Sequence, residues 1–92
     1  MFIGYYKVNI FLPGSLSLKE KRRILLKIKE KIRRKFNVAV AEKPVDKWQI
    51  AELSFVCINY TRQCVDELMS KIDEFLRLRN DIQIMECEKG IL

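Results

Sequence analysis

The chain has 92 residues, of which 49% are apolar and 33% are charged, a composition typical of a folded domain rather than of a disordered tail. Its 18 lysines and arginines outnumber 12 acidic residues, and the resulting net charge of +6 favours association with an anionic partner. No run of about 18 apolar residues is present, which excludes a membrane-spanning helix. We expect one domain over residues 1–92, too small for a deep cleft between two lobes.

Targeting signals and cysteine usage both bear on the compartment. The first twelve residues lack the basic region and the small-residue cleavage site of a signal peptide. The three cysteines, Cys57, Cys64 and Cys87, form no CxxC pair, and an odd number is a poor basis for a disulfide framework. We therefore expect a cytoplasmic protein, with Cys57 and Cys87 buried inside strands and Cys64 near the start of a helix.

The first third of the chain predicts a strand followed by a helix. Alternation over residues 2–12 predicts a strand that ends at Pro13. Its more continuous apolar set is Tyr6, Val8, Ile10 and Leu12, so Tyr5 and Phe11 should lie on the opposite sheet face. Ser17 and Glu20 have the spacing of a capping box, and apolar residues then recur at helical spacing, which predicts a helix over 18–36.

The remainder predicts two strands, a second helix and a last strand. A short strand should run from about Val38 to Glu42, and a long one, rich in aromatic and β-branched residues, from Trp48 to Tyr60. A helix is predicted over 62–79, with Thr61 or Asn59 as its N-cap, and a final strand from Ile82 to about Glu88. The order βαββαβ is that of an α+β ferredoxin-like sandwich, with an antiparallel four-stranded sheet and both helices on one face.

The positive charge is concentrated in the first predicted helix. Ten of the 18 basic residues lie between Lys19 and Lys35, against two acids, Glu20 and Glu30. Five of them follow one another at intervals of four, so they form one stripe, called here the basic ridge: Lys19, Arg23, Lys27, Lys31 and Lys35. Like charges at this spacing destabilise a helix by roughly 0.2–0.5 kcal/mol per pair. Because these cations repel one another along the helix, the pattern suggests a polyanionic partner that would neutralise them.

These features predict a nucleic-acid interface on the ridge and on the turn before it. The residues Gly14 to Ser17 open the helix, where free N–H groups and the positive end of the helix dipole attract anions. A simply capped helix is the alternative, although it leaves the surplus of cations unexplained. The expected phosphate-contacting residues are Ser15, Ser17, Lys19, Lys21, Arg22, Arg23, Lys27, Lys31, Arg34 and Lys35.

Signals for catalysis are weak. The chain has no histidine, so the commonest general base and most zinc sites are missing. Glu42, Asp46 and Glu52 flank the predicted central hairpin, but solvation of the loop and pairing with Lys43 or Lys47 explain them better than catalysis or metal binding. Residues 54–60 have a faint likeness to the aromatic strand of RNA-recognition motifs, without its basic and glycine residues. We therefore expect a non-enzymatic protein without a cofactor, a metal or a small-molecule substrate.

Several segments together resemble the YlxP-like family, a group of small bacterial domains of unknown function. The resemblance covers nearly the whole chain and depends on these stretches: 13–15, 17–22, 36–38, 40–42, 48–49, 51–53, Glu88 and 91–92. It departs from the family pattern at Leu16, where a basic or polar residue is usual, and at Pro44. The resemblance implies a ferredoxin-like fold. It also implies genes that neighbour those of transcription elongation and translation initiation factors, which favours work on RNA or the ribosome.

Two functions are favoured by the sequence, well ahead of a third, an enzyme that acts on a small phosphorylated compound. The first is an RNA- or ribosome-associated binding module that contacts phosphates through the first helix. The second is a structural or interaction protein, a homodimer through the open sheet face whose basic helix docks an acidic protein.

Overall fold

The computed structural model describes residues 1–92 and contains the six elements in the expected order. The strands are β1 (Phe2–Phe11), β2 (Ala39–Glu42), β3 (Ile50–Asn59) and β4 (Gln83–Ile91). The helices are α1 (Leu18–Lys35) and α2 (Arg62–Arg77). Neither helix combines the length and the apolar character needed to cross a membrane.

The four strands form one antiparallel sheet in the order β2-β3-β1-β4. With two helices and the element order βαββαβ, this is the ferredoxin-like arrangement that the sequence predicts. β1 is central, because it pairs with β3 along its full length and with β4 from Gly4 to Phe11. A register shift between Asn9 and Ile10 marks a bulge in the β1–β4 pairing.

Both helices lie on one face of the sheet, as predicted. Alternate residues of β1 and β3 point toward the helices, where Tyr6 stacks on Phe55 with ring centroids 6.1 Å apart. The core consists of seventeen buried apolar residues contributed by both helices, β1, β3 and the segments beside them. Burying a side chain the size of Leu or Ile contributes about 1.5–3 kcal/mol, so this shared core explains why two amphipathic helices share one sheet face.

The helix caps follow the sequence signals. Ser17 is the N-cap of α1 and Thr61 that of α2, and each side-chain oxygen accepts a hydrogen bond from the N–H three residues later. Asn59 supports the second cap, because its Oδ1 accepts from the Thr61 N–H at 3.1 Å. Both expected N-cap residues therefore take part in one turn.

Three element boundaries differ from the expected ones by two residues or more. β3 begins at Ile50 rather than at Trp48, because residues 48–49 form a turn. β4 continues through Gly90 to Ile91, since these residues pair with Tyr5 and Gly4 of the central strand. α2 ends at Arg77.

Candidate nucleic-acid interface

The basic ridge lies on the solvent side of α1. The opposite side of the helix is anchored by Leu25, Ile28 and Ile32, which are fully buried against the sheet. All five ridge residues are exposed. The helical period therefore separates an apolar stripe from a cationic one, and the core fixes the direction in which the ridge points.

The ridge cations have no acidic partners within the protein. The chain forms three salt bridges, and only one of them involves α1: Lys29 Nζ lies 2.8 Å from Glu42 Oε1. Lys29 is half-buried and stands outside the ridge. No ridge side chain lies within 4.0 Å of a carboxylate oxygen or makes a side-chain hydrogen bond. The repulsion along the ridge is therefore not relieved by internal pairing.

The C-terminal end of the ridge approaches α2. Lys35 Nζ lies 5.6 Å from the ring centroids of both Phe36 and Phe75, a distance at which a cation is attracted to an aromatic face. The pKa of Asp81 is held below its usual value, first by the hydrogen bonds from Arg79 and to a smaller extent by the charge of Lys31. Arg22 and Arg34, also predicted to contact phosphates, are exposed on the same helix.

Lys21 was predicted to contact phosphates, and this prediction is wrong, because its side chain is only 3% exposed. Its Nζ donates to three backbone carbonyls, those of Val45 at 2.7 Å, Lys47 at 2.7 Å and Ile50 at 3.0 Å. The three protons of the ammonium group are thus matched by three acceptors. Lys21 binds the loop between β2 and β3 to the first turn of α1 and is structural.

The spacing of Lys21 carried a signal for this role. Lys21 precedes Leu25 by four positions and Ile28 by seven, so it lies on the buried stripe of the helix. By charge alone, Lys21 groups with its cationic neighbours instead. Its stripe position predicts burial, and a buried ammonium group requires acceptors.

The turn before α1 is also less open to an anion than predicted. Ser15 is fully buried and its Oγ donates to the Ser17 carbonyl at 3.1 Å. The Ser17 Oγ accepts from the Glu20 N–H at 3.1 Å, and Glu20 Oε2 accepts from the Leu16 N–H at 2.7 Å rather than from the N-cap residue. Because Ser15 is buried and the Ser17 Oγ already accepts the capping hydrogen bond, neither serine is included in the interface proposed below.

The open sheet face has a different charge from the helix side. Tyr5 and Phe11 lie on it, as predicted. The Tyr5 ring lies over Gly90, where its Cε1 atom would be 3.0 Å from a Cβ added to that glycine. Pairing places Lys7 beside Glu88 on this face, together with Glu52 and Glu86 opposite Asn9. Acidic residues therefore outnumber basic ones among these positions.

β3 resembles the aromatic strand of RNA-recognition motifs in sequence, but its side chains do not point as that strand's do. Phe55, its aromatic residue, points into the core, whereas Val56 and Ile58 occupy the open face. Stacking of bases requires exposed aromatic rings on the sheet. β3 itself presents none.

Polar groups elsewhere are structural or scattered. Glu42 pairs with Lys29 on the helix side, while Glu52 lies on the open face, so the carboxylates around the hairpin do not converge. No group of three or more carboxylate or cysteine side chains is placed to hold a metal ion. Cys57 is buried, which raises the pKa of its thiol. Cys87, expected to be buried, is exposed, because it lies on the edge strand β4.

A groove of about 880 Å³ separates the C-terminal end of α1 from α2. Cys64 lies exposed beside it. The charged residues along its walls have both signs, with Glu67 and Glu74 among Lys35 and Lys71. This mixture selects neither an anion nor a cation.

The sequence is similar to that of a described protein family. The chain matches the model of the family described as "Protein of unknown function (DUF503)" over residues 3–89. No curated protein matches the sequence. Because the match spans nearly the whole length, the chain belongs to the DUF503 family.

Proposed function

We propose that this protein is a non-enzymatic, RNA- or ribosome-associated binding module of the cytoplasm that contacts phosphates through the basic ridge. The observation that carries the proposal is the exposure of five stacked cations with no acidic partner in the protein. The ridge extends over about 24 Å, at about 1.5 Å of rise per helical residue. A linear array of cations of this length can contact several successive phosphates of a nucleic-acid backbone. The resemblance to YlxP-like domains supports the same function.

The distribution of charge favours the helix side as the contact surface. Phosphate binding depends on local positive potential, and the open sheet face carries Glu52, Glu86 and Glu88 against Lys7. A nucleic acid is therefore attracted to the ridge and repelled from the sheet. The residues assigned to the interface are Lys19, Arg22, Arg23, Lys27, Lys31, Arg34 and Lys35.

The test is RNA binding at several salt concentrations with two charge-matched variants. In the ridge variant Arg23→Glu and Lys27→Glu are combined, and in the control Arg62→Glu and Lys71→Glu reverse two exposed cations of α2. We expect filter binding of mixed-sequence RNA to fall steeply with salt, with a slope of about −0.7 for each phosphate neutralised on a single strand. The ridge variant should bind weakly and the control nearly as well as the parent. Equal losses in both variants would show that only net charge matters.

A second candidate function is supported by the open sheet face. Val56 and Ile58 are exposed there, at 41% and 57%, and the same face carries the cross-strand pair Lys7 and Glu88. Apolar residues beside charges of both signs suit a second copy of the same surface, related by a two-fold axis. The protein would then be a homodimer whose ridge docks an acidic protein. Sedimentation of the parent and of Ile58→Lys tests this, since the added charge should dissociate such a dimer.

A further inference from the structure

The groove between α1 and α2 is continuous with the basic ridge. Lys35, the last residue of the ridge, lines the groove, and its Nζ lies 5.6 Å from the ring centroids of Phe36 and Phe75. Lys31, one turn earlier, is near enough to the loop after α2 that its charge helps to lower the pKa of Asp81. The C-terminal half of the ridge therefore runs beside the groove, and a strand that follows the ridge would pass its opening.

The floor of the groove is apolar and partly open. Phe36 and Phe75 meet edge to face, with ring centroids 6.4 Å apart, and Phe75 is half-buried. Leu68 and Leu78 continue the floor along α2, and Leu78 is 78% exposed. The volume of about 880 Å³ lies within the range of sites that bind small ligands between largely apolar walls. The groove thus offers an aromatic surface that the core covers only in part.

The rim of the groove carries polar groups that the protein does not use. The Asn37 side chain makes no hydrogen bond, and the Nδ2 of Asn59 donates none, although its Oδ1 accepts from Thr61. Glu74 is exposed and makes no salt bridge. These groups supply both donors and acceptors. A ligand that fits the groove is therefore uncharged and flat, with donors and acceptors along its edge, and a nucleobase has these properties.

We propose that this groove binds one unpaired nucleobase of an RNA strand whose phosphates contact the C-terminal half of the ridge. This inference rests on the proposed function and adds a base site to it. A base stacked on an aromatic ring is held more strongly than an exposed cation above the same ring. The base can therefore replace the Lys35 ammonium over Phe75, which frees Lys35 for a phosphate. Because every base can stack, the site favours single strands over duplexes without selecting a sequence.

Two exposed cysteines allow occupation of the groove to be measured in the unaltered protein. Cys64 lies on the wall of the groove, whereas Cys87 lies outside it, on β4 beside Arg77, and is the internal control. Mass spectrometry follows alkylation of both thiols by iodoacetamide with a mixed-sequence single-stranded RNA, the matching duplex or an abasic strand of the same length. We expect the single strand to slow alkylation of Cys64 and not of Cys87. The duplex and the abasic strand should leave both rates unchanged.

Variants of the floor test the same site by affinity. Phe75→Leu removes the ring but keeps an apolar side chain, and it should weaken filter binding of the single strand about 5- to 150-fold, with little effect on the abasic strand. Leu78→Ala should weaken binding less, and it carries the test if Phe75→Leu does not fold. Leu16→Ala alters a similarly exposed leucine, before the other end of α1, and should bind as the parent does. Circular dichroism checks the fold of each variant.

The other outcomes separate this site from the proposed function. Ridge-dependent binding with unprotected Cys64, and with full affinity in both Phe75→Leu and Leu78→Ala, would overturn the base site and leave the phosphate interface standing. Absence of any RNA binding would overturn both. Equal protection of Cys64 by all three nucleic acids would show that a backbone covers the groove, and protection that depends on protein concentration alone would show that a second copy does. Either result would overturn the base site.

Discussion

The hydroxyl of Tyr6, at the centre of the sheet, donates a hydrogen bond to Asp73 of α2, 67 residues away along the chain. Arg77 also donates to Asp73, at 2.9 and 3.0 Å. Burial alone would raise the pKa of Asp73, but these hydrogen bonds together hold it below its usual value. The hydrogen bond between Tyr6 and Asp73 therefore joins the first strand to the second helix through a polar contact at the edge of the core.

Replacement of Tyr6 by phenylalanine should lower stability while the fold is retained. The ring keeps its packing on Phe55, and only the hydrogen bond to Asp73 is lost. A hydrogen bond to a charged group contributes about 1.5–3 kcal/mol, and each kcal/mol shifts the melting temperature of a domain this size by about 4–8 °C. Thermal melts of the parent and of Tyr6→Phe measure the difference. An unchanged melting temperature would mean that the contact contributes nothing to stability.

The same tyrosine should make the protein sensitive to alkaline pH. Burial, together with the bond to Asp73, raises the pKa of Tyr6 far above its ordinary value. Above about pH 10 the unfolded tyrosine is ionised while the folded one keeps its proton. The unfolded state then binds fewer protons, so the free energy of unfolding falls as pH rises. Urea titrations between pH 9 and 11.5 should show a steeper decline in the parent than in Tyr6→Phe, whose remaining slope includes the buried Cys57.

Lys21→Met should destabilise the protein although it removes one of the clustered cations. The substitution leaves the carbonyls of Val45, Lys47 and Ile50 without their common donor, at about 1–3 kcal/mol for each buried group that stays unpaired. Acrylamide quenching of Trp48 should also increase, because the loop loses its anchor. Chemical denaturation compares this variant with Arg22→Met, an exposed neighbour that should be near neutral. If Lys21→Met weakened RNA binding and left stability unchanged, Lys21 would be a surface residue after all.

Gly4→Ala should be costly, because an added Cβ would lie 2.2 Å from Val65 Cγ1. Overpacking of this kind costs about 1–3 kcal/mol. Gly14 has no atom within 4 Å of its added Cβ, so Gly14→Ala is the matched control and should change stability little. Combining Gly4→Ala with Val65→Ala should cost less than the sum of the two single changes, because the second makes room for the first. Denaturation of the four variants gives the coupling energy, and strict additivity would contradict the proposed clash.

The two ends of the ridge should respond differently to charge reversal. Arg23→Glu replaces two repulsive i,i+4 pairs with attractive ones, each worth about 0.2–0.5 kcal/mol, so the melting temperature should rise by a few degrees. Lys31→Glu removes a cation that helps to hold down the pKa of Asp81. That pKa should therefore increase, which an NMR titration of the Asp81 carboxyl can follow with Arg23→Glu as control. If the pKa of Asp81 were the same in Lys31→Glu and Arg23→Glu, Lys31 would lie beyond electrostatic reach of Asp81.

Local patterns were sufficient to predict the architecture. The alternation in β1, the caps at Ser17 and Thr61 and the helical apolar stripes are short-range signals, and each agrees with the structure. Errors arose where long-range contacts decide. Trp48 resembles a strand residue by propensity, but the tertiary contacts of Lys21 and Gln49 hold it in a turn. The partners of Lys21 lie 24 to 29 positions away, so no local pattern could identify them.

The candidate interface was only partly predictable for the same reason. The spacing of the ridge residues ensures that they share one helix face, and their exposure follows from the buried stripe opposite. Whether a serine hydroxyl is free depends on the turn geometry, which uses both Ser15 and Ser17 internally. Charge counting alone cannot distinguish a cation in solvent from one that binds a loop.

The central position of β1 has a consequence for folding. The strand made first must pair with β3 on one side and with β4, the last strand, on the other. During synthesis the sheet therefore stays open until the C-terminal residues have emerged, and the long-range pairing of β1 with β4 is the late, entropically costly step. Truncation within β4 should leave one edge of the central strand unpaired and prone to aggregation. The cationic helix α1, in contrast, is complete while more than half of the chain is still to be made.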